Sequence, residues 1–245
     1  MQLSTYLLRT QRLLQNPPAP STLYSPTDLT DYINQARGQV AGEGECVRVL
    51  ASLITTVGQR NYNFTALNTG TGNGVQGVVH VRRIAYAVGV GGQRWIPPRA
   101  WEWFDLFHLN NPVPPSGAPK VWAQYAQGIA GSFYLDPIPD IRYTLSADTV
   151  CYPIDLSSDT DVDAIPYFWT DAVPYYAAYL ALLSAQSPAR QADGNRMFER
   201  YTEFVTRARR FANPSVNRGS YEQTGSPTDQ NKLNIQPARG QQGAA

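Results

Sequence analysis

The sequence predicts an α+β fold: a discontinuous α-helical bundle with an inserted antiparallel β-rich module and an extended C-terminal tail. Three observations carry that expectation. Helical periodicity occupies both the N-terminal stretch and the stretch from Asp163 to Ala212. Between them the apolar pattern switches to short, valine-rich alternating runs. After Ala212 large apolar residues become sparse. The resulting segments are 1–52 (N-terminal helices), 53–160 (β-rich insertion), 161–212 (C-terminal helical hairpin) and 213–245 (polar tail).

Leu3 to Gln15 reads as a helix with Leu3, Tyr6, Leu7, Leu13 and Leu14 on one side, stopped by Pro17-Pro18-Ala19-Pro20. Ser25-Pro26-Thr27-Asp28 is a helix start: a capping hydroxyl, proline in the first turn and an acid three residues after the cap. Leu29, Tyr32, Ile33, Ala36 and Val40 continue the stripe, and Gly42 and Gly44 end it. These two helices are expected to cover the C-terminal hairpin as a small four-helix arrangement.

Leu53–Val57, then Gly58-Gln59-Arg60-Asn61, then Tyr62–Phe64 read as strand, turn, strand. Val75 to Val90 predicts one or two central strands, followed by a turn at Gly91-Gly92. Arg99 to Leu109 predicts a short helix with Trp101 and Phe104 or Phe107 facing the core. Pro112 to Pro119 is a proline-rich loop. Lys120–Tyr125, Ser132–Asp136 and Ile141–Leu145 alternate like strands, with Val150–Tyr152 closing the set.

Asp163 is expected to cap the first helix of the hairpin, with Pro166 in its first turn. From Trp169 to Leu183 nearly every residue is apolar or small, the pattern of a helix buried all round, and Pro174 is expected to kink it. Ser187-Pro188 opens the last helix. Met197, Tyr201, Phe204, Ala208 and Phe211 form one stripe, opposite Arg196, Glu199, Arg200, Glu203, Arg207 and Arg210. Residues 213–245 are rich in Gly, Pro, Gln, Asn and Ser, a composition that cannot bury enough surface to fold alone.

A length of 245 residues suits one elaborated domain or two small ones. Cys46 and Cys151, far apart, suggest neither a disulfide framework nor a zinc site and suit a reducing compartment. No signal peptide and no membrane-spanning run is expected. A net charge of +1 argues against a dedicated nucleic-acid binder. Arginine supplies nearly all the cations, Lys120 and Lys232 being the only lysines, and with the many tyrosines and tryptophans this suggests interface anchors.

Gly70-x-Gly72-x-Gly74 lacks the lysine and following helix of a phosphate-binding loop, and reads as a connection between strands. Asp155, Asp159, Asp161 and Asp163 lack the glycine and distal glutamate of a calcium loop, and read as a solvated loop leading to a cap. His80 and His108 read as structural. No nucleophile or carboxylate pair stands in a catalytic setting, so no enzyme, metal or cofactor is expected. Arg207, Arg209 and Arg210 either offset the dipole of the last helix or anchor an acidic partner or passing DNA.

The Ser25–Arg37 helix, Thr55-Thr-Val-Gly-Gln-Arg-Asn-Tyr62, Phe133-Tyr-Leu-Asp-Pro-Ile-Pro-Asp140, the Ala164-Ile-Pro166 lead into a tyrosine- and alanine-rich helix, and Phe198-Glu-Arg-Tyr-Thr-Glu-Phe204 together resemble the head-to-tail adaptor (connector) proteins of tailed bacteriophages. The order of elements over residues 3–212 is also similar to tail tubular or gatekeeper proteins of short-tailed phages. The resemblance implies a virion neck protein, made in the host bacterial cytoplasm. It would form a homo-oligomeric ring, commonly twelvefold, beneath the portal, extending the DNA channel and carrying the tail or nozzle protein. Contact with genomic DNA would be transient and non-specific. Carried over, Arg207, Arg209, Arg210, Arg218, Tyr221, Leu233, Ile235 and Arg239 would face the portal. Arg60, Tyr62, Trp122 and Tyr125 would face the tail or a neighbouring subunit. The alternative is a virion-associated carbohydrate-binding or glycan-processing protein, motivated by Trp95, Trp101, Trp103 and Trp122. Aligned exposed rings would support it, and burial would remove it.

Overall fold

The computed structural model describes residues 1–16, 23–70, 72, 74–89, 91–109, 114–184 and 187–212, with only the backbone of His108, Phe211 and Ala212. The expectations for Pro17–Pro20, Val90, Pro112 and the tail 213–245 lie outside these residues. In chain order the elements are α1 (Leu3–Leu14), α2 (Pro26–Gly44), β1 (Arg48–Ile54), β2 (Asn61–Asn63), β3 (Val75–Val88), β4 (Gly92–Ile96), α3 (Trp101–Phe104), β5 (Val121–Tyr125), β6 (Ser132–Asp136), β7 (Thr144–Pro153), α4 (Tyr167–Thr170), α5 (Val173–Ser184) and α6 (Pro188–Ala212). The fold is α+β, with helices from both ends of the chain and antiparallel sheets between them.

Local chemistry sets the first two helices. The Ser25 hydroxyl accepts the Asp28 backbone N–H at 3.1 Å, satisfying one of the free donors of α2, and Pro26 occupies its first turn. Leu29, Ile33, Ala36 and Val40 are buried, as are Leu3, Tyr6 and Leu14 of α1. Gly44 ends α2 under the Trp169 ring. A Cβ there would lie 2.6 Å from the indole, so only glycine allows this approach. α5 packs against α1, α2 and α6, the four-helix arrangement expected of the two ends.

The hairpin differs from its expectation in two ways. Asp163 does not cap a helix: its carboxylate accepts the Ile165 N–H at 3.1 Å, and the helical residues begin only at Tyr167, after Pro166. The expected single helix is also two, interrupted at Asp171 and Ala172. Pro174 therefore sits in the first turn of α5, where a missing N–H leaves no gap, and does not kink a continuous helix. α5 buries Val173, Ala177, Ala178, Ala181 and Leu182, while Leu183 is exposed, so its burial is not complete. On α6 the stripe residues Tyr201 and Ala208 are buried and Met197 and Phe204 half-buried, as predicted, and Val205, outside the predicted stripe, is buried with them.

The strands form two antiparallel sheets, β1-β7-β3-β4 and β2-β6-β5. The strand expected at Leu53–Val57 begins earlier, at Arg48. The two strands flanking the turn at Val57-Gly58 do not pair with each other: β1 pairs with β7 and β2 with β6. The expected separate strands at Ile141–Leu145 and Val150–Tyr152 are one strand, β7. β3 is a single interior strand. Below β4 the chain runs beside β5, where Trp122 N donates to Pro97 O at 3.2 Å and Arg99 N to Trp122 O at 2.8 Å, joining the sheets. One continuous apolar core runs through sheets and bundle, from Ala51, Ile84, Leu135 and Leu145 to Val40, Trp169 and Tyr201.

Candidate docking surfaces

Where three chain segments meet, the interior is charged. Asp163 Oδ1 accepts Arg37 Nη2 at 2.8 Å and Asp163 Oδ2 accepts the Tyr6 hydroxyl at 2.6 Å. Asp163 N donates to Met1 O at 3.0 Å. α1, α2 and the lead into the hairpin are thus tied at one carboxylate. Burial, then the Asp163 charge, pushes the Tyr6 hydroxyl well above its ordinary 10.0, so it stays a donor. Sequence reasoning missed this pair. The signal was Arg37 itself, four residues after Ile33 and three before Val40, a cation on the apolar stripe of α2.

The basic end of α6 divides. Arg209 donates to Glu43 O at 2.6 Å, in the last turn of α2, where a cation offsets the negative end of that helix. Arg207 lies over the Phe204 ring at 5.6 Å, and Arg207 and Arg210 border a shallow depression of about 820 Å³ with Phe198, Glu199 and Thr202. Arg218, Tyr221, Leu233, Ile235 and Arg239 lie outside the described residues.

Of the four residues expected on the tail-facing or inter-subunit side, three are built into the β module. Arg60 pairs with Asp136 at 3.1 Å and both side chains are largely covered. Tyr62 is buried, stacked on Phe133 at 5.5 Å, its hydroxyl donating to Gln59 O at 2.9 Å. Trp122 is buried with its indole N–H on Ile96 O at 3.0 Å. Tyr125 is half exposed, its ring 4.6 Å from that of Trp101.

The tryptophans therefore do not form one row: Trp122 is inside, and Trp101 is wedged between Tyr125 and Tyr134. Trp95 and Trp103 are exposed, each beneath an arginine, Arg83 at 5.7 Å and Arg99 at 5.0 Å. After α3 the chain makes one wide helical turn, Asp105–Leu109. Phe104 is buried as expected, while Phe107 is exposed with Leu106.

Other sequence signals resolve into structure. Gly70, Gly72 and Gly74 all have positive φ and lead into β3, not into a helix as a phosphate-binding loop would. The Asp161 carboxylate accepts Ser157 N and Ser158 N at 2.9 and 2.8 Å, and those bonds hold it below its ordinary value. His80 lies 3.5 Å from Glu45, which also holds Arg82 at 3.1 Å. Cys46 and Cys151 are free thiols, both pushed up by burial, Cys46 to about 12. Among the described residues no group of three or more His, Cys, Asp or Glu side chains is placed to hold a metal ion. Among them, too, no helix is long and apolar enough to cross a membrane.

What stands out is uncovered apolar surface in several places: Leu50 and Ile54 on β1, Trp95 on β4, Leu106 and Phe107 after α3, and Tyr167 and Phe168 on α4. Surface of this kind marks sites of contact with other proteins. A family model described as SU10 adaptor protein matches residues 1–221. The chain finds no match among the curated proteins.

Proposed function

Because the chain belongs to the SU10 adaptor protein family, a family of phage structural adaptors, we propose that it forms a homo-oligomeric ring between portal and tail. The ring extends the channel through which DNA leaves the head and offers the tail or nozzle protein its attachment platform. The observation that carries this reading is the uncovered apolar surface on β1, on β4, after α3 and on α4. Tyr167, 75% exposed, and Phe107, 59% exposed, are side chains that a free monomer would bury or replace. Head-to-tail contacts between identical subunits close into a ring when the rotation allows.

In this reading Arg207 and Arg210 on α6, with Arg209 held to α2, contribute to the portal-facing side together with Arg218, Tyr221, Leu233, Ile235 and Arg239 of the tail. Tyr125 contributes to the tail-facing or inter-subunit side, and Arg60, Tyr62 and Trp122 shape the sheet that presents it. The near-neutral charge suits a conduit, which must not hold its DNA tightly.

Mass photometry of the purified protein, alone and mixed with its cognate portal ring, tests this. A portal particle that gains a fixed multiple of the 27.1 kDa chain mass is the expected result and gives the copy number. A portal particle of unchanged mass, with the protein in excess, overturns the portal-binding reading.

A further inference from the structure

The chain carries an apolar knob on its β module and an apolar groove in its helical bundle. The knob is the wide turn after α3. Asp105–Leu109 is a single π turn, a rare geometry that concentrates at functional sites. Leu106 and Phe107 on it are 64% and 59% exposed, and the Trp103 ring lies 5.4 Å from that of Phe107. Its base is anchored: Phe104 is buried, and Trp101 is wedged between Tyr125 and Tyr134.

The groove runs between α1, α5 and α6 and holds about 380 Å³. It is lined by the Tyr175–Phe204 stack, 5.1 Å between ring centres, and by Leu13 and Pro174. Three charged groups complete it: Arg9 and Asp171, paired at 2.6 Å, and Arg12. A cavity of about 150 Å³ takes one benzene ring, so this groove has room for a phenyl ring and an isobutyl group together. Neither α3 nor the wide turn contributes to its lining among the described residues, and Leu106 and Phe107 are exposed, so a chain does not fill its own groove.

The two surfaces are opposite in charge. The knob carries Glu102 and Asp105 against Arg99, which lies over the Trp103 ring. The groove carries Arg9 and Arg12 against Asp171, and Arg207 lies over the Phe204 ring. Arg9 is neutralised by Asp171, while Arg12 is exposed with no ion pair or side-chain hydrogen bond among the described residues. On the knob Glu102 stands one helical turn before Leu106, is exposed, and has no such partner either.

From this match of size, apolar surface and charge we infer that the occupant of the groove is the knob of a second copy of this chain. Leu106 and Phe107 of one subunit enter against the Tyr175–Phe204 stack of the next, and Glu102 pairs with Arg12. Knob and groove are different surfaces, so the contact is heterologous: each copy gives its knob to one neighbour and its groove to the other until the assembly closes. The inference rests on the ring reading above and names the surfaces that would make the ring.

Cross-linking in the full chain tests it. Leu106→Cys puts a thiol on the knob. Leu13→Cys puts one in the groove and keeps a small apolar side chain at that half-buried position. Circular dichroism and melting of each variant verify the fold. The two variants are mixed under mild oxidation, in solution and on the portal ring, and separated on a denaturing gel without reductant. A band at twice the 27.1 kDa chain mass is expected from the mixture and from neither variant alone, because two knobs or two grooves do not meet. Each variant alone also controls for Cys46 and Cys151, which both contain. Glu102→Arg added to the knob variant is expected to slow the cross-link roughly tenfold, and Arg12→Glu added to the groove variant to restore it. A cross-link that ignores these charges overturns the Glu102–Arg12 pair. A band of equal strength from one variant alone overturns the heterologous contact. No band from the mixture, on a portal ring that still gains a fixed multiple of the chain mass, overturns the knob contact and leaves the ring reading standing. No band and a portal ring of unchanged mass overturn both.

Discussion

Arg37 and Asp163, 126 residues apart, form an ion pair at 2.8 Å with side chains 1% and 0% exposed. It joins α2 to the segment that leads into the C-terminal hairpin, so it ties the two ends of the chain across the whole β module. Arg37 Nη1 also bonds Asn34 Oδ1 at 2.9 Å, while its Nε has no partner among the described residues. Asn34 in turn exchanges bonds with Leu156 N and O, at 3.0 Å each, which fixes the start of the same lead-in.

Breaking this pair one-sidedly leaves a charge in an apolar interior. Asp163→Leu and Arg37→Met are each expected to cost about 3–5 kcal/mol in urea unfolding, whereas the combined Arg37→Met/Asp163→Leu chain recovers much of that loss. Additive losses in the double variant would show that the two side chains act separately.

Ala178 has no exposed surface and sits among Leu14, Tyr24, Leu29, Ala181 and Leu182, where three helices meet. Ala178→Leu is expected to overpack that contact and lower stability by about 1–3 kcal/mol. A melting temperature equal to the wild type would mean that this face of α5 has room the structure does not give it.

Alkaline pH is expected to destabilise the fold. Burial raises Tyr6, Cys46 and Tyr201 above their ordinary values, with the Asp163 charge adding for Tyr6 and the bond to Glu43 for Tyr201. Their contribution is complete while the unfolded groups also hold their protons, below 9.0 for the thiol and 10.0 for the phenols. Above that the unfolded chain releases protons the folded chain keeps, so stability falls as pH rises, for Cys46 across the window from 9.0 to about 12. Melting curves should be level up to about pH 9 and decline beyond it. Tyr6→Phe should lose about 1.5–3 kcal/mol at neutral pH with the bond to Asp163, and show a shallower alkaline decline. An unchanged decline in that variant would remove Tyr6 from the account.

Ending the chain at Asn213 is expected to leave the melting temperature unchanged and to weaken docking on the portal ring. Mass photometry of the shortened chain with portal checks this. Normal docking by the shortened chain would exclude the tail from that contact.

Much of the element set was legible because it follows from short-range chemistry. The Ser25-Pro26 start, the stripes of α1, α2 and α6, and the alternation of β5 and β6 all rest on neighbours within one or two turns or one strand. The docking residues were legible mostly as types. Tyr125, Arg207 and Arg210 are exposed, whereas Tyr62 and Trp122, read from the sequence in the same way, are buried. An aromatic in a strand has the same sequence pattern on either face of a sheet. Which face is covered depends on a second layer.

The sequence by itself determined where helices and strands form, that both chain ends are helical around a β-rich middle, and that the chain falls among phage adaptors. The first two come from periodicity, capping and proline placement, which act locally, and the third from the resemblance of the motifs. Only the tertiary structure decided that β1 and β2, neighbours across one turn, belong to different sheets, because each strand takes whichever distant partner completes its buried face. It alone turned Asp163 from an apparent cap into the partner of Arg37, because a carboxylate in the interior is held by the cation that reaches it. It alone put β1 and β4 at the two sides of the four-stranded sheet, because strand order is set by which distant strands pair, and that is a property of the whole sheet.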